Sequence, residues 1–534
     1  MRSEIGELGL FLREAGERFS ETPVTVAGID GEGTRRVREL VEVAEVFSAR
    51  LRAAGVLPGD TVVVQLSNSF ECLEAYVGTL FAGAVLVPVP ASYGPSETLG
   101  IAALAGTGVL LVDERRSQGR ALVSRQLANR APGDPHLVRV GSQANDGLGT
   151  RWEAFLAGKS DLRVERAGVS SSALSQREFS ELAEIMLFTS GSTGVPKGVV
   201  HSGSTIMSAA LGKTVTSCSA AGGIRQLQAF PAGHMGGLLG LLRPFLTGEP
   251  MALLPRWDAV LAIDTIDRFA LNATVGPPVF IISIIEALEA TERSRLDLAD
   301  VEVGSAAVAP DLVERADRLG MTCYRSYGCT EHPCIASGAS GEPLQARAYT
   351  DGSPIGGNAL EIWASEGPVP GVGEAGEVVS SGPSQALGYL DPGEEVGVFV
   401  RGRLHTGDLG RLRPDGRLEV VDRIKDVIIR GGETLAPAEI EGQLRQLATV
   451  RDAAVVGIPD ETLGETVCAV VVPRPGQEVT LRDVQVWLEK RGISLHKIPE
   501  SFFVAQSIPK NATGKILRRV LREQVLAAGG VKNS

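Results

Sequence analysis

The sequence predicts an α/β fold: a large N-terminal domain of parallel-rich sheets with helices plus a β subdomain, and a small α+β C-terminal domain. Three observations support this prediction. The chain has 534 residues, more than one compact core accommodates. Strand and helix patterns alternate from about residue 38 to residue 290. Near residue 350 the pattern changes to short alternating strands rich in Gly and Pro.

The alternating region explains the predicted parallel sheets. Residues 40–55 have apolar positions at helical spacing and end at Gly55, residues 60–66 are a short β-branched run, and "ECLEAYVGTLFAGA" is again helical. Further buried strands are predicted in "VLVPVP", "IRQLQAFP", "MALLP", "NATVGPP", "DVEVGSAA" and "MTCYRSYG". Alternation of this kind indicates parallel strands with helices on both faces. Ligands are then expected beyond the carboxyl ends of the strands.

The last third of the chain predicts two smaller units. Residues 359–382 combine Gly and Pro with short alternating strands, which favours an antiparallel β subdomain. A compact α+β segment runs from "DAAVVGIP" to "GKILRRVL". We place the domain junction between Arg423 and Asp426, which divides the chain into residues 1–424 and 425–534.

Composition narrows the functional classes. The formal net charge of −12 and the pI of about 5.3 disfavour a nucleic-acid partner, which requires a basic surface. The six cysteines form no CxxC pair, which favours reduced structural thiols, a cytoplasmic location and no zinc site. The N-terminus lacks the apolar core of a signal peptide, and no uncharged apolar run reaches the ~20 residues that span a bilayer.

The segment "LFTSGSTGVPKGVVHS", residues 187–202, predicts a phosphate-binding loop. It is no Walker loop, because Pro196 precedes Lys197 and Gly198 follows it, where that motif requires Gly and a hydroxyl residue. Its glycines, hydroxyls and lysine nevertheless suit phosphate oxygens. A flexible linker is the alternative, but the segment lies between a predicted buried strand and a predicted helix.

Five motifs in order give the chain a resemblance to the acyl- and aryl-CoA synthetases of the adenylate-forming superfamily. They are "TSGSTGVPKG", "SYGCTE", "HTGDLG", "DRIKDVIIRGG" with "APAEIE", and "PKNATGK", and they span residues 189–515. The resemblance implies an enzyme that uses ATP and Mg²⁺ to form an acyl-adenylate and then transfers the acyl group to coenzyme A. It also implies that the small C-terminal domain is mobile.

The resemblance also assigns the nucleotide site. Glu331 is implied as the Mg²⁺ ligand, Thr330 as an α-phosphate contact, and Lys515 as the cation bridging the substrate carboxylate and the α-phosphate. These three are the expected catalytic residues. The expected ATP-binding residues are Thr189, Ser190, Gly191, Ser192, Thr193, Gly194, Lys197, Gly304, Ser305, Ala306, Ser326, Tyr327, Gly328, Asp408 and Arg423. Among them, Asp408 and Arg423 are implied to hold the ribose, and Tyr327 to face the adenine.

The acceptor and acyl sites follow from the same resemblance. Lys425 matches the hinge position, and His234, Gly431 and Gly432 are implied to line the CoA channel. Met235, Gly236, Gly237 and Val279 are implied to line the acyl pocket. The segments around these residues are apolar and rich in glycine, which favours a bulky apolar carboxylic acid: alicyclic, aromatic or polycyclic. Such a small-molecule acid is the expected partner.

Some features depart from the family pattern or leave alternatives. "RGRLHTGD" lacks the Trp-Phe pair common before that motif, and Ile429 stands where luciferases carry lysine. An adenylation enzyme that loads a carrier protein stays open as an alternative. So does a member specialised to one half-reaction, or a binding protein that has lost one. The sequence does not fix the oligomeric state, for which a homodimer is one alternative.

Overall fold

The computed structural model describes residues 5–28, 32–129, 134–142, 148–159, 173–189, 196–214, 223–364, 367–368, 373–430, 433–460, 462–491, 493–511 and 514–528. Strands and α-helices are numbered along the chain. In the described ranges the α-helices are α1 Glu7–Arg18, α2 Val37–Ala53, α3 Phe70–Phe81, α4 Pro95–Ala105, α5 Ser117–Asn129, α6 Trp152–Leu156, α7 Gly203–Thr214, α8 Met235–Thr247, α9 Ala259–Arg268, α10 Pro278–Ala290, α11 Pro310–Arg318, α12 Leu344–Tyr349, α13 Pro437–Leu444, α14 Leu481–Lys490 and α15 Arg518–Ala527.

One large sheet supports most of the site described below. Its described strands are β1 Pro23–Val26, β2 Gly33–Arg36, β10 Gln226–Gln228, β11 Met251–Leu253, β12 Ala273–Gly276, β13 Leu298–Val303, β14 Met321–Tyr327, β15 Ala336–Ser337 and β16 Ser353–Pro354. They are ordered β16-β15-β14-β13-β12-β10-β11-β1-β2. The strands from β14 to β1 pair in parallel, whereas the edge strands pair antiparallel.

A second sheet carries the end of the predicted phosphate loop. Its described strands are β3 Thr61–Gln65, β4 Val85–Pro88, β5 Val109–Asp113, β6 His136–Val140, β7 Thr150–Arg151, β8 Ala183–Thr189, β9 Lys197–Ser202 and β20 Gly388–Tyr389. They are ordered β20-β9-β8-β4-β3-β5-β6-β7. β3 and β4 are fully buried runs of mainly β-branched residues, as expected for parallel strands covered on both faces. The parallel-rich architecture predicted for the N-terminal part is confirmed.

The region after residue 350 forms an antiparallel sheet, also as predicted. Its described strands are β17 Ala359–Ala364, β18 Gly367–Pro368, β19 Gly376–Ser381, β21 Phe399–Val400, β22 Arg403–Leu412 and β23 Leu418–Arg423. β22 pairs with both β19 and β23, and the second pairing sets Asp408 opposite Arg423. This sheet therefore brings the "HTGDLG" motif and the predicted junction side by side.

The C-terminal segment is built on a separate sheet, in agreement with the predicted α+β unit. Its described strands are β24 Ile428–Arg430, β25 Glu433–Leu435, β26 Val450–Asp460, β27 Gly464–Pro473 and β28 Ser501–Val504. Helices α13 and α14 share a buried apolar cluster with this sheet, and α15 packs on a second one. Every strand of this sheet follows Lys425, while the exact junction at residues 424 and 425 stays a prediction. Within the described ranges, no helix has the length and apolar character needed to cross a membrane.

Candidate functional site

The "SYGCTE" segment leaves the carboxyl end of β14 and is fixed by the second sheet. The imidazole Nε2–H of His201, on β9, donates to the backbone carbonyl of Thr330 at 2.8 Å. The backbone N–H of Ala386 donates to the carbonyl of Glu331 at 2.8 Å. Burial lowers the pKa of His201 to about 4, so its imidazole is neutral near pH 7. His201 is therefore a positioning residue that holds Thr330 from the neighbouring sheet.

Asp408 lies at the centre of the predicted ribose contacts. It is buried, with 5% of its surface exposed. Its Oδ2 accepts a hydrogen bond from the Tyr327 hydroxyl at 2.7 Å, and its Oδ1 lies 2.8 Å from Nε of Arg423. Burial, followed by the charge of Asp408, raises the pKa of Tyr327, which keeps the phenol protonated as a donor. The structure thus joins three predicted residues that are separated by up to 96 positions in the sequence.

The C-terminal region brings Lys515 to the same place. Burial lowers the pKa of Lys515 to about 8, and the nearby charge of Arg423 adds to the shift, while that of Asp408 opposes it. Lys515 lies on a turn in which its backbone N–H donates to the Asn511 side chain at 2.9 Å. This juxtaposition is not visible in the sequence, where Lys515 follows Asp408 by 107 residues.

The same turn also reaches α10. Gly514 has a φ of +81°, a left-handed conformation that glycine adopts without strain. A Cβ added to Gly514 would lie 3.5 Å from Cγ1 of Val279, a predicted acyl-pocket residue. The turn that carries Lys515 is therefore in van der Waals range of the first turn of α10.

The predicted phosphate loop is described only at its two ends. Thr189 closes β8 and Lys197 opens β9, while Ser190, Gly191, Ser192, Thr193 and Gly194 lie outside the described residues. The Lys197 ammonium forms an ion pair with Glu394 and lies 5.5 Å from the centroid of the Tyr389 ring. A phosphate that binds Lys197 must compete with Glu394.

Glu331 supplies the carboxylate expected to bind Mg²⁺. It is half-buried, and its Oε1 accepts a hydrogen bond from the Tyr389 hydroxyl at 2.7 Å, which orients the carboxylate. Carboxylate oxygens are hard ligands, and Mg²⁺ in nucleotide sites is bound by one or two of them with substrate phosphates and water. The donor chemistry of Glu331 therefore fits this ion. Among the residues that the structure describes, no cluster of three or more His, Cys, Asp and Glu side chains could hold a metal.

The predicted adenine wall lies where β13 ends. Gly304 is packed so closely on β14 that a Cβ would lie 2.7 Å from Oγ of Ser326. Ser305 has a φ of +67°, which is uncommon for a residue with a side chain. Ala306 follows at intermediate exposure, and Gly328 would place a Cβ 2.7 Å from the backbone nitrogen of Cys334. Small residues here are required by the close approach of backbone segments.

The segment "HMGG" forms the start of α8. His234 is the N-terminal flanking residue, and its buried Nε2 has no hydrogen-bond partner in the described part of the chain. Burial lowers the pKa of His234 to about 4, which leaves it neutral near pH 7. Met235 belongs to the main apolar core, whereas Gly236 borders a cavity between α8 and the large sheet. A Cβ on Gly237 would lie 1.9 Å from the carbonyl oxygen of Pro231, so Gly237 packs on its own loop.

A small cavity borders Gly236, between α8 and the large sheet. Its lining is mixed, with Arg243, Asp300 and Glu302 beside apolar residues such as Leu239 and Val275, and the apolar acyl pocket expected from the sequence stays a prediction. These polar residues come from the far end of α8 and from β13. Asp300 and Glu302 alternate with valines in "DVEV", so the sequence indicated a strand without indicating which face borders a cavity.

The predicted hinge residue lies in an exposed turn. Lys425 is exposed, and residues 424–426 form the turn between β23 and β24. Among the hydrogen bonds that cross this junction, the backbone N–H of Ala438, in the first turn of α13, donates to Oδ2 of Asp422 at 3.0 Å. Burial raises the pKa of Asp422, while the nearby Arg518 opposes the shift. The expected CoA-channel residues Gly431 and Gly432 lie outside the described residues.

Sequence reasoning missed three residues that hold this site together: His201, Tyr389 and Glu394. His201 lies within the segment 187–202 that predicts the phosphate loop, which was the available signal for it. Tyr389 belongs to the two-residue strand β20, which pairs with β9 far away in the sequence. Glu394 lies in a short 3₁₀ helix, Pro392–Glu395, that has no distinctive pattern.

Comparison with known proteins gives a consistent result. The sequence model described as "AMP-binding enzyme" matches residues 12–390, and the model described as "AMP-binding enzyme C-terminal domain" matches residues 439–515. The first match alone covers more than half of the chain.

Two similar proteins match over almost their full length. The chain is 31% identical over 528 residues to a 3-[(3aS,4S,7aS)-7a-methyl-1,5-dioxo-octahydro-1H-inden-4-yl]propanoyl:CoA ligase of Rhodococcus jostii (strain RHA1), covering 96% of this chain and 98% of the relative. It is 30% identical over 533 residues to a 2-hydroxy-7-methoxy-5-methyl-1-naphthoate–CoA ligase of Streptomyces carzinostaticus, covering 96% and 92%.

Solved structures show the same fold. The amide bond synthetase McbA from Marinactinospora thermotolerans matches with a TM-score of 0.80 at 25% identity, over 97% of this chain and 100% of that one. The o-succinylbenzoate CoA synthetase MenE from Bacillus subtilis, in complex with its acyl-adenylate intermediate, has a TM-score of 0.80 at 23% identity. That match covers 96% of this chain and 97% of the other.

Proposed function

This chain belongs to the family of AMP-binding enzymes, and we propose that it is an ATP-dependent carboxylic acid–CoA ligase acting on a bulky acid. Two relatives, at 31% and 30% identity, are named as CoA ligases for fused-ring acids, and another at 30% as a long-chain-fatty-acid–CoA ligase. One observation of the structure carries the proposal: the C-terminal turn places Lys515 beside the Asp408–Arg423 pair at the end of β14. A cation at this position would stabilise the attack of the substrate carboxylate on the α-phosphate of ATP, in which both groups are anionic.

The first half-reaction forms the acyl-adenylate. A carboxylate oxygen of the acid attacks the α-phosphorus of ATP, the bond from that phosphorus to the β-bridging oxygen breaks, and pyrophosphate leaves. Negative charge gathers on the oxygens around the α-phosphorus in the transition state. We assign Lys515 to stabilise that charge, and Thr330, held by His201, to contact the same phosphate. Glu331 would hold Mg²⁺, which when bound would neutralise part of the phosphate charge.

The remaining nucleotide contacts follow from the geometry around Asp408. Tyr327 and Arg423 orient the buried carboxylate of Asp408. A carboxylate held in this way can accept hydrogen bonds from the two ribose hydroxyls. Lys197 and the loop before it are assigned to the β- and γ-phosphates. Gly304, Ser305 and Ala306 are assigned to the adenine side, where Gly304 packs closely on Ser326.

The second half-reaction transfers the acyl group. The thiol sulfur of coenzyme A attacks the acyl carbonyl, the mixed anhydride bond breaks, AMP leaves and the thiol proton is released. His234 is neutral near pH 7 and is assigned to line the thiol path, with Gly431 and Gly432 completing it. We further propose that the two half-reactions use two positions of residues 425–534, related by rotation at Lys425. The supply of ATP and coenzyme A favours a cytoplasmic location, and a homodimer is the assembly to test by light scattering.

The experiment is mass spectrometry of products from a panel of alicyclic, aryl and polycyclic acids with ATP and Mg²⁺, with and without coenzyme A. The expected products are acyl-AMP without coenzyme A and acyl-CoA plus AMP with it. Lys515→Ala should slow acyl-AMP formation by about 10²–10³-fold, as loss of an aimed charge-stabilising group does. Absence of acyl-AMP with every acid would contradict the proposal, and acyl-AMP without acyl-CoA would favour a carrier protein as acceptor.

A further inference from the structure

The ammonium group of Lys197 is paired with the carboxylate of Glu394. The two side chains are 19% and 30% exposed, so this ion pair lies at the border of the site and not in the core. The ring of Tyr389 lies beside it, with its centroid 5.5 Å from the Lys197 nitrogen. The Tyr389 hydroxyl donates to Oε1 of Glu331 at 2.7 Å. Glu394 therefore holds the lysine assigned to the β- and γ-phosphates, close to the carboxylate assigned to Mg²⁺.

Backbone pairing brings the segment before Glu394 alongside the strand that Lys197 opens. In the β20–β9 register, Gly388 lies opposite Val200. The backbone N–H of Leu390 then donates to the carbonyl of Gly198, the residue after Lys197, at 2.7 Å. The short 3₁₀ helix with Glu394 begins two residues after Leu390. The approach of Glu394 to Lys197 is thus determined by paired backbone.

The 3₁₀ helix that carries Glu394 is anchored by its last residue, Glu395. The Glu395 carboxylate forms an ion pair with Arg177 and accepts a hydrogen bond from the Tyr389 N–H at 2.9 Å. Gly388 leaves space for this contact, because a Cβ there would clash with Oε1 of Glu395. The anchor acts through Glu395, so the helix keeps its place when the Glu394 side chain turns away from Lys197.

The contact between Glu394 and Lys197 suits a partner that phosphate can displace. Partly exposed ion pairs contribute little to folding stability, because water screens the charges and two long side chains lose freedom. A phosphate chain offers Lys197 more negative charge and more acceptor oxygens than a single carboxylate does. The Glu394 side chain is already partly exposed and can turn to water. Each phosphate that binds must nevertheless displace it first, which weakens the apparent affinity.

We propose that Glu394 is a displaceable counter-ion of Lys197 that sets how tightly the protein holds the polyphosphate part of its nucleotide. ATP then binds more weakly than it would to a free Lys197. Pyrophosphate leaves more readily once the adenylate has formed, because the carboxylate pairs with the lysine again. AMP has no β- or γ-phosphate, so its affinity is independent of Glu394. This role rests on the proposed ligase function and adds a positioning residue to its first half-reaction.

Isothermal titration calorimetry with ATP, pyrophosphate and AMP tests this role. The titrations contain Mg²⁺ at one concentration and no carboxylic acid, so no turnover occurs. The variant is Glu394→Gln, which keeps the side-chain size and removes the charge. It should lower the Kd of ATP and of pyrophosphate about 3- to 5-fold, the upper range for a partly exposed ion pair, and leave that of AMP unchanged. Glu178→Gln, at an exposed position beside Arg177, is the matched control and should change none of the three.

A double-mutant cycle separates competition for Lys197 from direct repulsion between Glu394 and phosphate. In a chain that carries Lys197→Met, Glu394→Gln should change the Kd of ATP less than about 1.5-fold, because no lysine is left to release. Direct repulsion would give the same gain in both backgrounds. Circular dichroism and the AMP affinity verify that each variant is folded. If Glu394→Gln does not fold, Glu394→Ala takes its place with the same expected gain.

The outcomes distinguish this role from the function on which it rests. If Glu394→Gln leaves the Kd of ATP unchanged, or strengthens AMP binding as much as ATP binding, the role of Glu394 is overturned and the ligase function stands. The same holds if the gain in ATP affinity persists in the Lys197→Met chain. If the wild-type chain binds no ATP and gives acyl-AMP with no acid of the product panel, the ligase function fails, and the role of Glu394 fails with it.

Discussion

We expect the protein to take up a proton when it binds nucleotide, and we expect the Lys515 amine to accept that proton. Burial and the neighbouring guanidinium of Arg423 lower the pKa of Lys515 to about 8, below the 10.5 of a free lysine. The ammonium form is therefore lost as the pH rises through about 8. A phosphate arriving beside Lys515 favours the charged form and reverses the shift. The uptake is accordingly small at low pH and grows with rising pH.

The number of protons taken up at each pH follows from the pKa of Lys515. With a pKa of about 8, Lys515 is about nine-tenths protonated at pH 7, half protonated at pH 8 and one-tenth protonated at pH 9. One phosphate charge at about 4 Å contributes about 4 kcal/mol at an effective dielectric constant of 20, which equals about three pKa units. Lys515 is then fully charged in the complex. Binding should take up about 0.1 proton at pH 7, 0.5 at pH 8 and 0.9 at pH 9.

Isothermal titration calorimetry with AMP measures this uptake. Titrations in buffers of different ionisation enthalpy, repeated between pH 7.5 and pH 9, give the proton count as the slope of heat against that enthalpy. The phosphate of AMP, with its pKa near 6, contributes little in this range. Lys515→Gln should abolish the pH-dependent uptake, and Lys490→Gln, at an exposed site on α14, should not. A proton count independent of pH, or one retained in Lys515→Gln, would refute the assignment of Lys515 to the phosphate.

Two further predictions concern the ribose contact and the junction. Asp408→Ala should weaken AMP binding by about 1.5–3 kcal/mol, because a charged acceptor of two hydroxyls is lost; calorimetry measures this, and Asp415→Ala, in an exposed turn, is the control. Lys425→Pro should hold the C-terminal region in one pose, because proline fixes φ near −65° and restricts the preceding residue. One half-reaction should then survive while the other collapses, as timed by pyrophosphate release and by acyl-CoA formation from supplied acyl-AMP. Lys425→Ala should preserve both, and equal loss of both steps in Lys425→Pro would place the pivot elsewhere.

The elements that could be predicted from sequence are those whose own residues determine them. β3 is a β-branched run, and Ser69 caps α3 by accepting a hydrogen bond from the Cys72 N–H at 3.2 Å. The motif residues near the site were indicated by the family resemblance of the segments that carry them. Lys515, Asp408 and Tyr327 were each implied in this way, and their functional roles stay predictions.

The contacts that could not be predicted are those between distant segments. β20 has only two residues, and its position is set by pairing with β9 rather than by any local preference. The Tyr389–Glu331 hydrogen bond and the Lys197–Glu394 ion pair depend on that pairing. The surroundings of Asp300 and Glu302 could not be predicted for a related reason. Alternation in "DVEV" gives the period of a strand, but the helix opposite determines whether its polar face meets solvent, a neighbour or a substrate.

The hydrogen bond from Ala438 to Asp422 has a consequence for the balance between the two proposed poses. Rotation at Lys425 separates these residues and leaves the first turn of α13 without that acceptor. Loss of a capping acceptor costs about 1 kcal/mol, which changes a two-state population about fivefold. A ligand that binds one pose only slightly more tightly than the other is enough to offset a contribution of this size to the ratio of the two poses. We therefore expect replacement of Asp422 to change the ratio of the two proposed poses about fivefold without changing any chemical step directly.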